Sequence, residues 1–101
     1  MVAPGENVRS ASNSSDTAYV AFSGTSMAAP HTAGTVALIL NETPGASFFD
    51  SFTALTSTAD TATLDDPTNP DSCSGRAWND FPSFHYGYGR INAQDAVNAL
   101  T

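Results

Sequence analysis

Between Tyr19 and Leu40 the chain changes character twice. Tyr19, Val20, Ala21 and Phe22 form a β-type run, while Ala33 to Leu40 is a helical stretch apolar on nearly every face. Between them lies Gly24-Thr25-Ser26-Met27-Ala28-Ala29-Pro30-His31. A strand that turns sharply into a helix leaves one residue exposed at the bend, and here that residue is Ser26. The helix N-terminus beside it carries unpaired N–H groups and about half a positive charge. Such a place stabilises an oxyanion formed when the same serine attacks a carbonyl. Proline lacks an N–H and clashes with the carbonyl four residues back, so Pro30 belongs in a first helical turn. Four residues before it is Ser26. The helix is therefore predicted to begin at or just after Ser26, with Thr25 or Ser26 near its cap. Serine at a helix start also has a plainer role as an N-cap, and these local features leave both roles open.

Gly24-Thr25-Ser26-Met27-Ala28-Ala29-Pro30-His31, followed by Ala33-Gly34, resembles the nucleophile motif of the subtilisin-like serine proteases. Upstream, Val2-Ala3-Pro4-Gly5 is similar to the strand end that precedes the nucleophile in that family. Downstream, Tyr86-Gly87-Tyr88-Gly89-Arg90-Ile91-Asn92-Ala93 is similar to the segment before its C-terminal helix. The three occur in the family's order and cover nearly the whole chain, with the weakest match over Thr58 to Phe84.

The resemblance implies an α/β fold. Residues 1–101 would form the C-terminal part of a three-layer, doubly wound parallel-sheet catalytic domain, with a few short strands and about three helices. It implies a serine-type endopeptidase with Ser26 as the catalytic nucleophile and Gly24, Thr25 and Ser26 on the oxyanion and substrate side. A serine hydroxyl needs a base, and in this family the triad runs Asp, His, Ser along the chain. The catalytic Asp and His, with the side-chain amide that completes the oxyanion hole, are therefore expected upstream of Met1. The isolated chain is expected to be inactive. The expected partners are a polypeptide substrate and the remainder of the catalytic domain, and the parent protein is expected to be secreted or periplasmic. No cofactor or metal is expected in this chain; structural calcium suits the parent domain but is assignable to no residue here.

Two histidines are present, and neither is expected to be the base. His31 lies five residues after Ser26, roughly 140° round the helix, and is expected to point into the body of the domain. It resembles the structural histidine of the family motif. No feature of the sequence brings His85 to Ser26.

Charge narrows the partners. The chain has no lysine, three arginines and ten acidic residues, for a formal charge of −7. Phosphate binding needs a cationic surface, so nucleic acid is excluded as a partner. No run reaches the ~18 apolar residues of a membrane span, and no membrane partner is expected. Met1-Val2-Ala3-Pro4 has neither the basic nor the apolar region of a signal peptide, which fits a chain whose beginning lies elsewhere. The single cysteine, Cys73, is either a free loop thiol or half of a bridge to a cysteine outside this sequence.

The remaining elements follow in order. Met1 to Gly5 reads as the end of a buried strand, Val8 to Ser10 as an extended piece, and Ala11 to Thr17 as a polar loop. Ala28 to Leu40 is the strongest helix; being apolar all round, it is expected to be buried on all sides. Thr43-Pro44-Gly45 stops it. Phe48, Phe49, Phe52 and Leu55 fall at helical spacing between Ser47 and Ser57, with Ala46 or Ser47 opening that helix. Thr58 to Ser83 is loop, and Asp60, Asp65, Asp66, Asp71 and Asp80 within it match no calcium-loop spacing. Tyr86 to Ile91 reads as a short strand with glycine kinks. Asn92 then caps a last helix, Ala93 to Leu100, with Asp95 three residues on.

Two classes of function remain. One is the nucleophile-bearing part of a serine endopeptidase. The other is a non-catalytic remnant or small binding module in which Ser26 is only a helix N-cap. An all-round apolar helix argues against the second, because a stand-alone chain of about 100 residues could bury only ~60–65% of its unfolded surface.

Overall fold

The computed structural model describes residues 1–67 and 75–101. Cys73 and Asp71 fall outside them. Two strands and three helices are formed, in the order β1 (Val8–Ala11), β2 (Tyr19–Phe22), α1 (Thr25–Glu42), α2 (Phe48–Ser57) and α3 (Ala93–Asn98). This mixed content is compatible with an α/β class. The sheet is a two-stranded antiparallel ribbon, pairing Val8 with Phe22 and Ala11 with Tyr19. Ser12 N–H continues the pairing to the Ala18 carbonyl at 2.9 Å. Alternation along a strand puts Val8, Ser10, Val20 and Phe22 on one face of the ribbon. Arg9 and Tyr19 share the other face, with the guanidinium 4.6 Å from the ring centroid.

Met1–Gly5 and Tyr86–Ile91 are not regular strands. The only parallel pairing among the described residues is a single bridge between Val2 and Arg90. Val2 N–H donates to the Gly89 carbonyl at 2.8 Å, and Ile91 N–H to the Val2 carbonyl at 2.9 Å. Arg90 also exchanges both backbone bonds with Asp60, at 2.7 and 2.8 Å. In Tyr86–Ile91 the reason is conformational: Gly87 and Gly89 sit at φ of 58° and 122°, which breaks the extended path. Gly89 is a close approach as well, since a Cβ there would lie 2.5 Å from the Asp60 carbonyl oxygen.

The helices are set by local chemistry. Ser47 N-caps α2 in a reciprocal box: its hydroxyl accepts from Asp50 N–H at 3.1 Å, and Ser47 N–H donates to the Asp50 carboxylate at 2.8 Å. Asn92 caps α3 by accepting from Asp95 N–H at 3.0 Å. That helix ends at Asn98, two residues short of the expected end. The same Asn92 amide donates to the Asp60 carboxylate at 3.2 Å, which ties the cap to the bridge. Ile39, Ala54, Leu55 and Ala96 form the buried apolar core, where α1, α2 and α3 meet, with Val36, Ile91 and Val97 packed around it.

The expected burial of α1 on all sides is not met in this chain. Only Thr35 and Ile39 of its residues are buried. Ala29, Ala33, Gly34, Ala37, Leu38 and Leu40 are exposed. The described residues supply packing partners for one face of α1 and none for the face that carries these residues.

Candidate active site

β2 passes into α1 through two residues, Ser23 and Gly24. Gly24 is the N-cap of α1, at φ 153° and ψ 168°, and no side chain caps this helix end. That backbone conformation belongs almost entirely to glycine. The helix starts at Thr25, so Ser26 is its second residue. The expectation that Thr25 or Ser26 stands at the cap is corrected by one or two positions, and with it the reading of Ser26 as an N-cap. The Gly24 carbonyl accepts from Met27 N–H at 3.0 Å and from Ala28 N–H at 3.3 Å. The N–H groups of Thr25 and Ser26, one turn too early for any helical carbonyl, point out of the helix end.

Pro30 lies inside α1, in its second turn rather than its first. Lacking an N–H, it leaves the Ser26 carbonyl without its ladder donor. Both polar backbone groups of Ser26 are thus outside the helical hydrogen-bond pattern, and its side chain is exposed.

The bend is laced to the segment after Pro4. Gly24 N–H donates to the Gly5 carbonyl at 2.7 Å, and Asn7 N–H donates to the Ser23 hydroxyl oxygen at 2.9 Å. A Cβ on Gly5 would lie 2.8 Å from the Gly24 carbonyl oxygen and 3.2 Å from Ala28 Cβ, so the two backbones touch. Asn7 itself is left-handed, at φ 50°. Sequence reasoning reads Gly5 as the end of a strand and gives no role to Asn7 or Ser23. The available signal is Asn7, of a type that tolerates the left-handed region.

Ser26 opens onto a cavity of about 620 Å³. Its walls include Val8, Val20 and Phe22 from the inner ribbon face and Met27, Pro30 and His31 from α1. Thr25 faces elsewhere, about 100° round the helix, into a smaller recess of about 310 Å³ with Val2, Ala28 and Thr32. Gly24 and Thr25 therefore flank Ser26 in the backbone, and only Ser26 reaches the larger cavity.

His31 is exposed on the cavity wall, not turned into the body. The described residues place no packed element against that side of α1. Its Nδ1 is 2.9 Å from the Met27 carbonyl, so it donates there and carries the proton on Nδ1. Among the described residues, no hydrogen bond joins the Ser26 hydroxyl to His31 or His85. No three His, Cys, Asp or Glu side chains among them come together as a metal site. Asp60 is engaged instead by Arg90, at 3.6 Å, and by Asn92.

An exposed serine on an uncapped helix start, with free N–H groups beside it and an apolar-walled cavity in front, suits nucleophilic attack on a carbonyl. Comparison with known proteins identifies the lineage: residues 1–89 match the model of the Subtilase family, and the chain belongs to that family. It is 40% identical over 99 residues to Bacillopeptidase F of Bacillus subtilis, covering 98% of this chain and 6% of that protein. It is 36% identical over 104 residues to an extracellular protease of Xanthomonas campestris pathovar campestris, covering 96% of this chain and 15% of the relative. The chain thus spans a small part of the length of either relative. Among the described residues, no helix is long and apolar enough to cross a membrane.

Proposed function

We propose that this chain supplies the nucleophile of a serine endopeptidase and forms the C-terminal part of its catalytic domain. Ser26 Oγ attacks the scissile carbonyl carbon while its proton passes to a histidine. The same proton goes to the leaving amine as the C–N bond breaks, and water then hydrolyses the Ser26 ester. The backbone N–H of Ser26 stabilises the oxyanion, with Gly24 and Thr25 setting the local backbone. The histidine and its orienting aspartate come from outside this sequence, from the remainder of the domain. Its substrate is a polypeptide, and the parent protein is secreted or periplasmic. One relative's description as an extracellular protease supports that last reading.

The observation that carries the proposal is the exposure of Ser26 as the second residue of a helix whose first N–H groups are free. The exposed apolar face of α1 supports the need for a surrounding domain. A fluorophosphonate probe tests it: the assembled protease is labelled at Ser26, and Ser26→Ala abolishes labelling. An assembled protein that is not labelled overturns the proposal. The 101-residue chain alone is expected to show no turnover, since removing triad members costs on the order of 10⁶ in subtilisin.

A further inference from the structure

We propose that Ser23 is a positioning residue for the Ser26 nucleophile, acting through its bond to the backbone of Asn7. This inference rests on the endopeptidase reading above. The link between β2 and α1 is only Ser23 and Gly24, so whatever holds these two residues holds the start of the helix. Each is tied once to the same neighbouring segment. Gly24 N–H meets the Gly5 carbonyl at 2.7 Å, and the Ser23 hydroxyl oxygen meets Asn7 N–H at 2.9 Å. The second tie crosses 16 positions of sequence. It is made to a residue held in the left-handed region, at φ 50°.

The tie matters because this end of α1 has few other restraints among the described residues. No side chain caps it, Pro30 removes the ladder bond to the Ser26 carbonyl, and Gly24 has a conformation with wide torsional freedom. Without the Ser23 bond, the Gly5 contact and the pairing of Phe22 with Val8 are left, among the described residues, to resist rotation of the bend. The Ser26 N–H and Oγ both sit within three residues of that hinge. Attack and oxyanion stabilisation both depend on sub-ångström placement of these two groups, and a misplacement of about 1 Å can cost about 100-fold. Bond loss at Ser23 is thus expected to be felt in the transition state more than in substrate binding.

The test uses the assembled protease with Ser23→Ala and Ser23→Thr. Ser23→Ala should lower kcat by about three- to tenfold with KM nearly unchanged, the size expected from one lost hydrogen bond. It should slow fluorophosphonate labelling by a similar factor. Ser23→Thr keeps the hydroxyl and should restore both rates. If wild type is labelled and Ser23→Ala reacts at the wild-type rate, the positioning role is wrong and the endopeptidase reading stands. The positioning role is equally wrong if Ser23→Thr fails to rescue. If wild type is not labelled at all, both readings fall.

Discussion

At the scale of single residues, the two glycines of the bend are required for different reasons, and mutation separates them. Gly24 needs its torsion: at φ 153° a side chain is strained, although a Cβ there would meet nothing nearer than Met27 Sδ at 3.8 Å. Gly5 needs its bareness, because a Cβ would press on the Gly24 carbonyl oxygen at 2.8 Å. Gly24→Ala should therefore destabilise the protein by about 1–3 kcal/mol through backbone strain. A smaller neighbour cannot relieve it, so Met27→Ala in the same chain should recover nothing. Gly5→Ala is different: its cost comes from contact, so Ala28→Gly should relieve the 3.2 Å approach to Ala28 Cβ. The double variant should then be less destabilised than the sum of the two single variants, the helix-interior glycine costing about 0.5–1 kcal/mol by itself. Unfolding midpoints of the single and double variants decide the point; recovery of Gly24→Ala by Met27→Ala would show that contact, not torsion, sets its cost. Pro30 belongs to the same logic. A proline in the second turn breaks a helix rule, and it does so opposite the carbonyl of Ser26. Departures from local rules are expected at functional sites, and Ser26 is the proposed nucleophile.

At the scale of elements, α2 offers a direct electrostatic test. The Ser47 N–H, and then the Ser47 hydroxyl, hold the Asp50 carboxyl below the usual aspartate range. The charged form is the one favoured in the folded helix. A carboxylate lowered in this way stabilises the fold above its unfolded pKa, and that contribution is lost as pH falls through the folded value. The loss should therefore appear only below about pH 4. Titration by NMR should find Asp50 lowered, and Ser47→Ala should move it up toward the ordinary aspartate value by removing the hydroxyl bond. An unchanged titration in Ser47→Ala would contradict the geometry of the box. α3 is legible in the sequence because its signal is local: Asn92 and Asp95 lie three apart and read as a cap. The start of α2 reads only as Ala46 or Ser47, and the Ser47–Asp50 box, at the same spacing, settles it on Ser47. The start of α1 is legible only to within a few residues. Its cap is a glycine selected by torsion, and Pro30 points to a later start than the one formed. The Asn7 to Ser23 tie is not legible, since a bond across 16 residues has no local signature. Tyr86 to Ile91 reads as a strand on composition, and two positive-φ glycines override it.

At the scale of the whole molecule, the governing fact is how little of α1 is covered. The buried apolar core among the described residues is Ile39, Ala54, Leu55 and Ala96, while Leu38 is 53% and Leu40 41% exposed. Gly34 sits on the uncovered side, and a Cβ there would meet nothing within 4 Å. This makes Gly34→Ala a test whose sign depends on context. In the 101-residue chain alone, alanine in a helix interior is favoured over glycine by about 0.5–1 kcal/mol. Far-UV circular dichroism of the isolated chain should therefore show more helix. In the assembled protease the same face of α1, with Ala33, Ala37 and Leu38, is proposed to lie against the remainder of the catalytic domain. A glycine at such a contact admits close approach, and an added methyl group overpacks it at a cost of about 1–3 kcal/mol. The assembled protein should therefore unfold at a lower temperature with Gly34→Ala than without it. A gain in both settings would mean that this face of α1 stays open, and that its apolar residues call for no surrounding domain. Opposite signs would show that one apolar helix has two environments, and that the chain's own residues provide only the smaller one.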